Sequence, residues 1–204
     1  MNIVVTGSNS GIGQALCEQI TASYLYKIIG LSRQILDLSD INAVESFCLP
    51  SVDMLINCAG TDLGGKIDFA QHNIAHLRTI MTTNLLSPVL LSHKALNQNR
   101  NCKIVNITST NNKQYWPNNL TYSLSKQALS MFGNMLQVDY PAMRYLEVRL
   151  GLTRTNFNQN RYQACPERFT DIYQDHAHLT AAQAGHKILS VLFDDNIKFV
   201  EVSP

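Results

Sequence analysis

The chain has 204 residues, 45% of them hydrophobic and 15% charged, with a formal net charge of +1. That length suffices for one domain with a buried core. The near-zero charge offers no field to recruit nucleic acid or an anionic membrane, and no apolar run approaches the roughly 20 residues of a membrane helix.

The chain opens on a strand over residues 2–6 and continues into a helix over 11–21. A secretory leader needs a basic start and then a longer apolar stretch, so none is expected. Further strands are expected over 27–31, 53–57, 103–107, 146–150 and 198–202. They are rich in Val, Ile and Leu with little alternation, as suits a parallel sheet covered on both faces. Helices are expected over 41–47, 72–96, 121–138 and 180–193, with Thr180 capping the last. Strand and helix alternate, so the expected fold is α/β: a Rossmann-type doubly wound parallel sheet of six to seven strands in a three-layer sandwich. One stretch strains that scheme. The second strand ends near Arg33, and Ile35-Leu36-Asp37-Leu38 follows with no room for a crossover helix, which takes a dozen or more residues. Either those residues form a vestigial edge segment or the sheet is one strand short. The whole chain, residues 1–204, reads as one domain, with a polar segment over 153–178 long enough for a loop or lid.

The five cysteines (Cys17, Cys48, Cys58, Cys102 and Cys165) are scattered, with neither zinc-site spacing nor a disulfide framework. Free thiols in a reducing cytoplasm are the expectation, and the six histidines form no ligand cluster, so no metal is expected.

Between the first strand and first helix runs Thr6-Gly7-Ser8-Asn9-Ser10-Gly11-Ile12-Gly13. Glycines permit a tight turn and a close backbone approach to a pyrophosphate, and the helix start adds free N–H groups and a positive dipole end. Several motifs follow in order: Asn57-Cys58-Ala59-Gly60, Asn84, Ser109 at a strand end, Tyr122 with Lys126 four residues on, and Gly151 with Thr155. Together they resemble the short-chain dehydrogenase/reductase family, and the resemblance extends over nearly the whole chain. Four features depart from the common family pattern: Leu150 in place of proline, Val138-Asp139 where an alanine and a glutamate often sit, the missing helix after the second strand, and an ending without Asp-Gly-Gly.

The resemblance implies hydride exchange between a nicotinamide cofactor and a carbonyl or alcohol. The chemistry explains the spacing. A free tyrosine has a pKa near 10; an ammonium nearby lowers it, and residues four apart share a helix face. By the resemblance, Tyr122 is the general acid/base, Lys126 also anchors the nicotinamide ribose, and Ser109 binds the carbonyl oxygen. Asn84 kinks its helix and holds a water linking Lys126 to solvent. The cofactor is expected to contact Gly7, Ser8, Asn9, Ser10, Gly11, Ile12, Gly13, Arg33, Asp37, Leu38, Asn57, Ala59, Gly60, Tyr122, Lys126, Gly151 and Thr155. Ser32 stands at the family's acidic position and Arg33 follows, which favours NADP, with NAD the alternative; Ser10 stands where a second basic residue is frequent.

The expected partner is a small carbonyl or alcohol whose pocket draws on Tyr115, Trp116, Phe157 and Tyr162. A homodimer or homotetramer is also expected, through the helices over 72–96 and 121–138. Two other readings share the turn. One is a nicotinamide-binding sensor or scaffold without catalysis. The other is a sugar-nucleotide epimerase or dehydratase, although such proteins are usually longer.

Overall fold

The computed structural model describes residues 1–63, 68–112, 117–162 and 172–204. Six parallel strands form its main sheet: β1 (Asn2–Thr6), β2 (Lys27–Leu31), β3 (Met54–Asn57), β4 (Lys103–Ser109), β5 (Tyr145–Leu150) and, at the far edge, β8 (Phe199–Val202). Their spatial order is β2-β1-β3-β4-β5-β8, and every pairing is parallel. Two shorter strands, β6 (Thr153–Arg154) and β7 (Leu179–Thr180), pair beside it. The segment over 35–38 adds no strand; it is an irregular turn, so β2 is an edge.

Each face of the sheet has its own core. One gathers Val4, Leu55, Ile104 and Tyr145 under α2 (Ile41–Ser46), α4 (Ser87–Gln98) and α5 (Leu120–Asp139). The other gathers Ile3, Val5, Ile56, Val105 and Val148 under α1 (Gly11–Ser23) and α7 (Ala181–Leu192). Successive strand residues supply opposite cores, which is why the strands carry apolar side chains continuously. Thr180 caps α7 as expected, in a capping box with Gln183.

The helix expected over 72–96 is broken. A 3₁₀ turn (Phe69–Gln71) precedes α3 (Ile74–Met81); a π turn then spans Thr82–Leu86 before α4 begins. Pro88 lies in the first turn of α4 and has no N–H to offer the carbonyl of Asn84. The ladder adjusts by one residue, with the Ser87 N–H donating to the Thr82 carbonyl. The segment over 153–178 also holds structure, namely β6 and α6 (Asn156–Arg161).

The strand order reverses between β1 and its neighbours β2 and β3. In an open α/β sheet such a reversal leaves a crevice beyond the carboxyl ends of the strands, where ligands bind.

Candidate active site

That crevice is a cavity of about 940 Å³, lined by the turn after β1, the segments after β2, β3, β4 and β5, and α6. The volume is at the upper end of small-molecule and cofactor sites. The turn is shaped for close approach. Gly7 has φ of +69°, and a Cβ there would stand 3.0 Å from the Ala59 Cα. A Cβ on Gly13 would collide with the Gly7 carbonyl oxygen. Ser10 begins α1 in an extended conformation, and its side chain makes no capping bond. The first N–H groups of the helix are therefore left for a ligand at its positive end. Thr6 braces the turn from below: its hydroxyl accepts from the Cys58 and Ala59 amides, each at 3.0 Å.

At the catalytic end, Tyr122 and Lys126 lie one turn apart on α5, and both are buried. Lys126 Nζ donates to the Ile107 carbonyl on β4 at 2.9 Å and approaches Gly60. Burial pulls its ammonium down to a pKa of about 8. Ser109, at the end of β4, is buried and accepts from the Asn111 amide at 3.2 Å. Burial pushes the Tyr122 phenol above its ordinary value, against the downward pull of the Arg161 charge and of hydrogen bonding with Ser109 and Arg161. This corrects one expectation. The cation that lowers Tyr122 is Arg161; Lys126 is not among the causes. Lys126 directs its hydrogen bond to β4, and burial lowers its ammonium pKa to about 8.

Of the expected cofactor residues, Gly7, Asn9, Ser10, Gly11, Ile12, Gly13, Arg33, Asp37, Leu38, Ala59, Gly60, Tyr122, Lys126, Gly151 and Thr155 line the cavity. Three expected site residues stand behind its wall instead. Ser8 packs beneath Gly30. Asn57 donates to Asn106 Oδ1 at 2.9 Å and to Ser92 Oγ at 3.2 Å, tying β3 to β4 and α4. Asn84 is fully buried in the π turn; its Oδ1 accepts from the Thr61 amide at 2.8 Å, and its Nδ2 donates to the Thr61 carbonyl at 2.9 Å and Ser125 Oγ at 3.0 Å. The helix break expected at Asn84 is present, and the side chain is occupied in holding the loop after β3. Asp37 sits below its ordinary range: burial raises it, but bonds from the Ser39 amide and hydroxyl and the Arg33 charge outweigh that. Phe157 and Tyr162 line the cavity as expected; Tyr115 and Trp116 lie outside the described residues.

The sequence reading missed an ion pair. Arg161 Nε donates to Asp62 Oδ2 at 2.6 Å, with both side chains less than a tenth exposed. Ninety-nine residues separate the two, and neither falls in a motif, so spacing held no signal for them.

A profile of the short chain dehydrogenase family matches residues 27–166. The chain belongs to the short-chain dehydrogenase family. The matched span includes Tyr122, Lys126, Ser109 and Asn84 but not the glycine turn, so that turn is supporting evidence of its own. A relative from Schizosaccharomyces pombe, described as an NADP-dependent 3-hydroxy acid dehydrogenase, is 26% identical over 93% of this chain and 86% of its own. Two solved dehydrogenase structures share the fold. A serine dehydrogenase complexed with NADP+ has a TM-score of 0.86 at 21% identity, covering 100% of this chain and 95% of its own. A 4-hydroxyisoleucine dehydrogenase complexed with NADH has a TM-score of 0.82 at 20% identity, covering 99% and 96%. As a member of this family the chain is an oxidoreductase, and no helix among its described residues is long and apolar enough to cross a membrane.

Proposed function

We propose that the chain, acting as one domain, is an NADP-dependent oxidoreductase that interconverts a carbonyl and an alcohol, with Tyr122 as general acid/base. One observation carries this reading: Tyr122, Ser109 and Lys126 meet in the wall of a single cavity whose other end is the glycine turn. The residues present fit a dinucleotide. The turn leaves a cradle that any side chain at Gly7 or Gly13 would fill, and free helix N–H groups face it. The turn over residues 7–13 would hold the pyrophosphate, Asp37 and Leu38 the adenine, and Lys126 the nicotinamide ribose.

A bound nicotinamide supplies or accepts the hydride. The residues supply the rest. Ser109 donates a hydrogen bond to the substrate oxygen and fixes it beside Tyr122. Tyr122 delivers the phenol proton to that oxygen as negative charge builds on it, or removes the proton in the reverse direction. Burial keeps the phenol protonated at neutral pH, which suits reduction. Oxidation needs phenolate, so its rate is expected to climb as pH rises towards and past the ordinary tyrosine pKa of about 10.

Incubation with NADPH and a panel of aldehydes, ketones and keto acids tests the reading. Consumption of NADPH with formation of alcohol is expected; tight NADPH binding with no consumption across the panel would identify a sensor instead.

Arg33 is exposed on the cavity rim after β2, where a 2′-phosphate would lie. A charge-assisted contact contributes roughly 1.5–3 kcal/mol, about ten- to a hundredfold in affinity. Arg33→Ala is therefore expected to weaken NADPH binding by that factor and leave NADH nearly untouched. Titration of both cofactors measures it, and equal losses would overturn the assignment.

We also propose a homodimer or homotetramer. Leu120, Leu124, Met131, Met135 and Val138 are all exposed on α5, more apolar surface than a solvated helix face carries. Sedimentation at micromolar concentration should give a mass at least twice 22.8 kDa; a pure monomer would refute it.

A further inference from the structure

The ion pair beside Tyr122 needs a reason. Taking two charges out of water is costly, and apolar replacements are often as stable. Asp62 and Arg161 are nonetheless buried in the cavity wall, one after β3 and the other at the end of α6. Burial pulls the guanidinium pKa down, but the Asp62 charge and hydrogen bond outweigh it and hold Arg161 above its ordinary value.

The guanidinium is also held in one orientation. Asp62 takes its Nε–H at 2.6 Å, and Asn158 Oδ1 accepts from Nη1 at 3.2 Å. Asn158 is itself fixed, donating to the Thr153 carbonyl and the Tyr173 hydroxyl. The Arg161 Cζ lies 4.8 Å from the centre of the Tyr122 ring and 4.9 Å from that of Phe157. Those two rings are 5.5 Å apart, so the three groups form a compact triangle with the acid at one corner. Asp62 and Asn158 use two of the five guanidinium N–H groups, and hydrogen bonding to Tyr122 engages a third. The two that remain belong to the Nη edge. A fixed planar fork of donors at a cavity wall matches a carboxylate, which it can bind through two parallel hydrogen bonds.

We infer that the substrate carries a carboxylate, held by the Nη edge of Arg161 within a few bonds of the carbon whose oxygen meets Tyr122. The inference rests on the oxidoreductase reading and adds a substrate class to it: short hydroxy acids and the corresponding keto acids. Asp62 is then a positioning residue, since it holds the far side of the fork and keeps Arg161 charged. Phe157 and Tyr162 form the wall around the rest of the substrate.

Matched acid and amide probes test this, because the amide keeps the shape and loses the charge. Binding of lactate, lactamide, β-hydroxybutyrate and β-hydroxybutyramide to the NADP-saturated protein is measured by calorimetry, independently of turnover. At least one acid should bind roughly ten- to a hundredfold more tightly than its amide. Arg161→Gln alone would strand Asp62 as an unpaired buried charge, so the double variant Asp62→Asn with Arg161→Gln is the comparison. It should lose the preference for the acid while keeping wild-type NADPH affinity and a cooperative thermal transition.

Acids and amides binding alike, neither binding at all, or a double variant that keeps the preference would each overturn the inference. An ion pair that only staples α6 to the sheet would change unfolding and leave the acid-to-amide ratio alone. Turnover separates the two readings. Acid-selective binding without any reduction of keto acids would sink the oxidoreductase and leave the carboxylate site. Equal turnover of charged and neutral carbonyls would do the reverse.

Discussion

A Tyr122→Phe variant is expected to lose carbonyl reduction while still binding NADPH at close to wild-type affinity. The substitution removes one hydroxyl. The ring stays against Phe157 and the Arg161 guanidinium, so α5 and the cavity wall keep their packing. What disappears is the proton for the developing alkoxide. A positioned general acid contributes about 10²–10⁴-fold, and the loss should fall on kcat rather than KM. Fluorescence titration with NADPH and steady-state rates on one accepted carbonyl measure both halves. A variant that retains more than about a tenth of wild-type turnover would show that another group delivers the proton.

Lys126→Met is expected to depress cofactor binding and turnover together, because it removes the proposed ribose anchor. Its effect on stability should have the opposite character. Folding lowers the ammonium from a pKa of 10.5 to about 8 by burying it. The unfolded chain therefore binds more protons between those two values, and the group's contribution to stability improves as pH rises through that window. Below about pH 8 the folded state bears the full penalty, ~3 kcal/mol at 1.36 kcal/mol per unit. Cys58, beside Lys126, has its thiol pushed up to about 12 by burial and opposes this trend at the alkaline end. Subtracting the variant from the wild type isolates the lysine. Denaturant melts at pH 7 and pH 10 should show wild type gaining on Lys126→Met by a few kcal/mol. Parallel pH dependences would mean that the amine is not desolvated.

Most of the scaffold was legible because its signals are local. β1, β3 and β4 are buried on both faces and read as short segments rich in Val, Ile and Leu with little alternation, and Tyr122 and Lys126 are fixed relative to each other by one turn of helix. The resemblance placed a kink at Asn84, but the form of that break depends on which carbonyl Pro88 leaves without a donor, a matter of register inside an otherwise helical pattern. Two features escaped for physical reasons. Asn57 belongs to a motif, yet its side chain points between strands, a direction that the motif does not encode. The Asp62–Arg161 pair exists only after β3 and α6 have been brought together, so no window of sequence contains it. The error over Tyr122 has the same origin: the helix identified the nearer cation in sequence, while the packing supplied a different one.

The break in the helix reaches further than its own turn. Asn84 grips both the amide and the carbonyl of Thr61, and the next residue is Asp62. Asp62 in turn fixes the fork of Arg161, whose guanidinium rests against the Tyr122 ring. A side chain that lines no part of the cavity thus sets where the cavity's charged corner stands. A substitution at Asn84 would then shift that corner without changing any residue that lines the cavity.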